Sequence, residues 1–173
     1  MDRYIPLYEN LHSKQYSVFV DLDGVLCDFD KALYDLTGNH RADSKLEDNW
    51  DMIKKAGVAF WEYMPWMKGG KDLWRYLTMF VAPVLLSAVP HPRYGHGEIP
   101  SRGKNMWVRR ELGNYQVITC LRKQKKAFAD RHNILIDDKR ENIDEWKRAG
   151  GIGILHTNTS TTIHQLEHLG ELQ

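Results

Sequence analysis

The segment Asp21-Leu22-Asp23-Gly24 sets two carboxylates two positions apart, directly after an apolar run. One carboxylate of such a pair can attack phosphorus as a nucleophile, forming an acyl phosphate. The other, past the turn that Gly24 permits, reaches the leaving-group oxygen as an acid and later activates water as a base. Asp137-Asp138 ends a second apolar run, and Ser87 ends a third. Carboxylates this close repel one another and repel a phosphate. A divalent cation resolves that conflict, and hard oxygen ligands favour magnesium, with Asp21, Asp23, Asp138 and Asp137 as candidate ligands. The cation, a lysine and a hydroxyl would then neutralise a transferring phosphoryl group. A strand-end aspartate taken singly is a helix cap or a turn former. Recurrence of such groups at three of five expected strand ends points to one shared site.

The elements that must position these groups follow from hydrophobic patterning. Ser17–Asp21, Pro83–Ser87, Tyr115–Thr119, Asn133–Asp137 and Gly151–His156 are short, continuous apolar runs. Such runs suit parallel strands covered on both faces. Helical patterns fall between and after them, at Phe29–Thr37, Lys71–Met79, Lys104–Leu112, Glu141–Ala149 and Thr162–Leu169, and Gly150-Gly151 makes a helix stop. The alternation predicts an α/β chain with a parallel sheet flanked by helices. In such sheets ligands bind beyond the carboxyl ends of the strands, where the acids lie.

Two stretches break the alternation. Residues from Gly38 to Gly70 hold no convincing strand, but carry Trp50, Phe60, Trp61, Tyr63, Trp66 and Met67 among charged residues. They read as a small helical insertion over 38–70, with the α/β part made of residues 1–37 and 71–173. His91–Gly103, rich in Pro, Gly, His and Arg, reads as an exposed loop. His91, His96 and His132 lack metal-ligand spacing and read as loop residues.

Composition narrows the partners. A chain of 173 residues suits one domain with a modest insertion. The formal net charge of +1 gives no global basic field of the kind that drives nucleic-acid binding, so no such partner is expected. Cys27 and Cys120 are far apart and read as reduced core thiols. The N-terminal MDRYIPLYENLHSKQ lacks the apolar run of a signal peptide, and Met79–Val89 is too short to span a bilayer. A soluble, cytoplasmic protein without a membrane partner is the expectation.

The motifs VFVDLDGVLCDFD, LLSA, a lysine-rich segment and ILIDDKRENIDEWKRAGG resemble, in order, the four motifs of the haloacid-dehalogenase-like (HAD) phosphohydrolase superfamily. The extended DLDGVLCDF, the insertion FWEYMPWMKGG and the LIDD ending are similar to the 5'(3')-deoxyribonucleotidase group and its phage and bacterial relatives. The resemblance covers about Ser17 to Thr157. It implies a Rossmann-like HAD fold, with a small helical cap inserted after the first motif and Mg2+ as cofactor. It implies Asp21 as nucleophile and metal ligand, and Asp23 as acid/base with its backbone carbonyl on the metal. Ser87 becomes the phosphate-binding hydroxyl, Asp138 rather than Asp137 the last metal ligand, and Phe29 part of a nucleoside pocket. The motif lysine is left among Lys123, Lys125 and Lys126, with Lys125 favoured and Lys126 next. Lys104 could touch phosphate, although a helix-surface lysine is the stronger reading. Phe60, Trp61 and Trp66 are the cap rings chosen to sandwich a flat base.

These readings lead to a magnesium-dependent phosphatase that hydrolyses nucleoside monophosphates through an aspartyl-phosphate intermediate, a 5'-nucleotidase with a deoxyribonucleotide preference and a homodimer left open. Two alternatives stand beside it. One is a HAD phosphatase of nucleic-acid ends or of another small phosphomonoester, for which Arg122–Lys126 and His91–Arg102 would track a backbone. The other is a non-catalytic binding protein on the same fold. Base preference, sugar preference and 5' versus 3' position are not legible.

Overall fold

The computed structural model describes residues 16–40, 46–92 and 97–169. The N-terminal segment and His96, both read above, lie outside them. Five strands form one parallel sheet: β1 (Ser17–Val20), β2 (Val84–Val89), β3 (Val117–Leu121), β4 (Asn133–Asp137) and β5 (Ile152–Leu155). Their spatial order is β3-β2-β1-β4-β5. The chain builds outward from β1 to β3, then returns to the other side of β1 with β4. Val18 pairs with Ile134 and Val20 with Ile136 across that reversal. A reversal of strand order opens a crevice at the carboxyl ends of the two central strands. Asp21 and Asp137 stand there side by side.

The helices are α1 (Phe29–Thr37), α2 (Leu46–Ala56), α3 (Val58–Glu62), α4 (Gly70–Thr78), α5 (Glu98–Glu111), α6 (Arg140–Arg148) and α7 (Thr159–Glu167), with a 3-10 segment at Arg122–Phe128. Successive strand residues face opposite sides of a sheet. Val18, Val20, Leu85, Ile134, Ile136 and Ile154 therefore enter one core layer, beneath Leu33, Leu73, Trp107 and Leu166 of four helices. Phe19, Leu86 and Leu135 enter the other, beneath Ile143 and Trp146 of α6. This is the expected helix-flanked parallel sheet. No described helix is long and apolar enough to cross a membrane.

Two boundaries and the burial of one thiol differ from the sequence reading. Helix α5 begins at Glu98, so residues 98–103 are helical rather than loop. Pro100 is tolerated because it falls in the first turn, where backbone N–H groups have no intrahelical acceptor. Gly103 is the price of close packing: a Cβ there would strike the Trp61 side chain and the Val58 carbonyl. Strand β2 runs past Ser87 to Val89, which sets Ser87 within the strand, opposite Thr119 of β3. Cys27 is buried as expected, but Cys120 is only half-buried; both thiols are free.

Between Gly38 and Gly70 the described residues carry α2 and α3 and no strand. The chain following α3 is tied to the sheet layers by several hydrogen bonds. Trp107 Nε1 donates to the Met64 carbonyl at 2.8 Å, Asp28 N to Pro65 O at 2.8 Å, and Met67 N to Leu26 O at 2.7 Å.

Candidate active site

The turn after β1 is wound tightly around one carbonyl. Leu22 O accepts from the N–H groups of Val25, Leu26 and Cys27 at 3.2, 2.9 and 2.8 Å. Gly24 adopts φ 85, and a Cβ there would overlap the Asp138 carboxylate. Only glycine satisfies both the backbone angle and the space. The turn therefore presses the β1 acids against the acids that end β4.

Two buried lysines divide the acids between them. Lys104 Nζ donates to Asp23 Oδ2 at 2.8 Å, Ser87 Oγ at 2.8 Å and the Ala88 carbonyl at 2.6 Å. Lys125 Nζ sits 2.7 Å from Asp137 Oδ2 and 3.0 Å from Asp21 Oδ2. Burial alone would lower the pKa of Lys125. The adjoining Asp21 and Asp137 carboxylates outweigh it and hold the ammonium above its ordinary value. Burial pushes the Asp21 carboxyl up to about 7; Asp137 and Asp23 add to the rise, and Lys125 and Lys104 oppose it. Burial is the main cause of that rise, and the second buried carboxylate on the same ammonium adds to it.

The two acids of the β4 end have different surroundings. Asp137 is fully committed. Its Oδ1 accepts from Lys139 N at 2.8 Å and Asn142 Nδ2 at 3.0 Å, and its Oδ2 from Lys125 and from Asn142 Nδ2 at 2.9 Å. Asp138 Oδ2 meets Lys139 Nζ at 2.9 Å, but its buried Oδ1 has no hydrogen-bond partner among the described residues. Asp23 Oδ1 is in the same condition. Asp21, Asp137 and Asp138 each bring a carboxylate oxygen within 4.8 Å of the others. Buried oxygens without donors, in an all-oxygen cluster of excess negative charge, fit a hard divalent cation. Asp21 and Asp138 are the better donors, because the lone pairs of Asp137 are already spent.

A pocket of about 490 Å³ opens onto this cluster. Its floor is Asp21, Asp23, Lys125 and Asp138; its wall is Phe29, Leu33, Trp50, Ile53, Trp61, Met67, Val89 and Pro90. Phe29 and Trp61 lie with ring centroids 5.8 Å apart, and Trp50 stacks towards Trp61 at 6.5 Å with planes 22° apart. Lys104 Nζ lies 5.2 Å from the Trp61 centroid, joining floor to wall.

The structure thus brings together Asp21, Asp23, Ser87, Lys104, Lys125, Asp137 and Asp138, with Phe29 and Trp61 above them. Four expectations need correction. Lys126 is exposed and outside the cluster, because a 3-10 turn rotates adjacent residues by about 120° and only Lys125 points inward. Lys104 is no surface lysine: its side chain is completely buried, since the face of α5 that carries it also packs Trp107 and Val108 inward. Trp66 does not line the pocket; its Nε1 donates to Glu111 at 2.8 Å and its ring rests on Trp107. Phe60 stands behind Phe29, edge-on at 5.5 Å, and supports the wall without reaching the cavity. His91 and His132 are exposed and outside the site.

Asn49, Trp50 and Ile53 line the pocket from α2, although the sequence reading named only Trp50 of them, and not as a pocket ring. Their one- and four-residue spacing on a helix was the available signal. Arg122 and Asn142, also lining residues, carried no signal that separates them from ordinary polar surface.

Solved structures share this architecture. A hydrolase from Streptococcus pneumoniae TIGR4 superposes with a TM-score of 0.50 at 15% identity, over 88% of this chain and 98% of that one. A HAD-superfamily hydrolase, subfamily IA, variant 1, from Geobacter sulfurreducens PCA gives 0.57 at 13% identity, over 87% and 96%. No family model and no curated protein matches the chain. The fold is accordingly that of the HAD-superfamily hydrolases, a Rossmann-like sheet with helices on both faces.

Proposed function

We propose that this protein is a magnesium-dependent phosphatase that hydrolyses nucleoside monophosphates, in the manner of a 5'-nucleotidase. The observation that carries the reading is the aromatic-walled pocket standing directly over the carboxylate and lysine floor. An Asp21 carboxylate oxygen attacks phosphorus, and Asp23 gives its proton to the departing nucleoside oxygen. Asp23 faces the pocket with Oδ1 free of hydrogen-bond partners among the described residues, which leaves that oxygen able to carry the proton. The resulting phosphoryl group on Asp21 is then removed by water, from which Asp23 takes a proton back. Lys104, bonded to Asp23 and Ser87 beneath the pocket floor, sets positive charge beside the acid/base. Lys125 steadies Asp21 in its ionised form. Asp21 and Asp138, with the backbone carbonyl of Asp23, would hold Mg2+, which would supply positive charge against the transferring phosphoryl group. Above the floor, Phe29, Trp50 and Trp61 offer stacking surface to a base, at about 1–3 kcal/mol per base.

The test is phosphate release by purified protein with Mg2+ across ribo- and deoxyribonucleoside 5'- and 3'-monophosphates, with sugar phosphates as comparison. Release from at least one nucleotide, at higher kcat/KM than from any sugar phosphate, is the expected result. Turnover of sugar phosphates alone would end the nucleotide reading and keep the reaction class.

A further inference from the structure

We propose that Asn142, clamped by Arg122, is a positioning residue that keeps Lys125 on the nucleophile Asp21, an inference that rests on the phosphatase reading above.

Asn142 lies in the first turn of α6 and is buried. Its Nδ2 donates to both oxygens of Asp137, at 3.0 and 2.9 Å. Its Oδ1 accepts from Arg122 Nη1 at 3.0 Å. Chemistry fixes which way this amide points. Turned over, it would set its NH2 against a guanidinium and its carbonyl against a carboxylate. Arg122 is itself held, by Glu145 at 3.2 Å and Glu141 at 3.7 Å. A continuous chain therefore runs from the pocket rim to the reacting acid: Arg122, Asn142, Asp137, Lys125, Asp21.

The function of the chain follows from a shortage of positive charge. Asp137 and Asp21 share one ammonium, at 2.7 and 3.0 Å. Every donor given to Asp137 by another group lessens its demand on Lys125. Asn142 supplies two such contacts, and the Lys139 N–H a third. Without the amide, the bare oxygens of Asp137 draw Lys125 away from Asp21. The nucleophile is then misplaced, while the pocket wall that holds the rest of the substrate stays intact. The effect belongs in kcat and not in KM.

The experiment uses p-nitrophenyl phosphate with Mg2+, so that it does not depend on a nucleotide substrate. Asn142→Leu, close in shape but without donor or acceptor, is expected to lower kcat by about 10- to 100-fold with KM nearly unchanged. In a Lys125→Met background the same substitution should change kcat by less than about twofold, because the residue it acts through is gone. Equal losses in both backgrounds, or a loss expressed in KM, overturn the proposal. A merely structural role predicts those equal losses. If Lys125→Met does not fold, Arg122→Gln replaces it: losses that coincide in the double variant support one chain, and losses that multiply overturn it. Absence of wild-type turnover would count against the phosphatase reading alone. The positioning claim is then decided by urea unfolding of the same cycle, where non-additive midpoint shifts support it and additive shifts overturn it.

Discussion

The floor and the wall of the pocket are built by opposite means. The floor stands on the ends of β1 and β4, the two central strands, and each charged group there is held by named donors or acceptors. Asp137 alone takes hydrogen bonds from Lys139, Lys125 and Asn142. The wall is mostly apolar, with rings from α1, α2 and α3 packed against one another, Phe29, Trp50 and Trp61 among them. Directional bonds fix positions; apolar contacts fix only volume and shape. In the proposed phosphatase, chemistry would belong to the floor and discrimination to the wall, and substitutions can be chosen to separate the two.

The largest effect is expected at the centre of the floor. Asp21→Asn should lower phosphate release by about 10⁴-fold or more on every phosphomonoester tested, because an amide cannot replace the carboxylate proposed to form the covalent intermediate. A loss confined to nucleotides would merge floor and wall into one function. Lys125→Met comes next. It strands two carboxylates beside each other in a buried place, and should cost about 3–5 kcal/mol of unfolding free energy in denaturant titration. Retained stability would mean that Asp21 and Asp137 do not share the ammonium as strongly as their distances indicate.

Trp50→Ala should act on the wall alone. For a nucleoside monophosphate we expect a rise in KM of about tenfold, with kcat/KM for p-nitrophenyl phosphate within about twofold of wild type. Parallel losses on both substrates would show that the ring supports the floor as well. The smallest effect is a pH dependence without metal. The Asp21 carboxyl is raised from 3.8 to about 7 on folding. Below the unfolded value both states hold the proton and no stability is lost. Between about 4 and about 7 only the folded state holds it, so stability falls as pH rises through that window. Asp21→Asn should remove this fall, seen as a gap between variant and wild-type urea midpoints that widens from pH 4.5 to pH 7. A constant gap would place the retained proton on another group.

The floor was largely legible in the sequence because its acids end strands. Ser17–Val20 and Asn133–Asp137 announce themselves by local composition, and the acids follow directly. Lys104 was misjudged because its burial is a tertiary fact. It depends on Gly103 letting α3 approach α5, which nothing in residues 98–111 reveals alone. The choice between Lys125 and Lys126 turned on the phase of a 3-10 segment, and runs of lysine carry no hydrophobic period to read. The wall was legible only as an inventory. That rings abound between Gly38 and Gly70 is plain; that Trp50 faces the cavity while Trp66 binds Glu111 follows from how two short helices dock.

The interlock between Gly24 and Asp138 also bears on folding. The acids of β1 and β4 meet only after strands more than a hundred residues apart have paired, with Asp21 N donating to Ile136 O at 2.9 Å. Contacts of such long range form late and cooperatively. A nascent or partly unfolded chain therefore holds Asp21 without Lys125, Asp137 or Asp138 in place. The proposed reactivity would appear only on completion of the central sheet, which would make turnover a reporter of the finished fold.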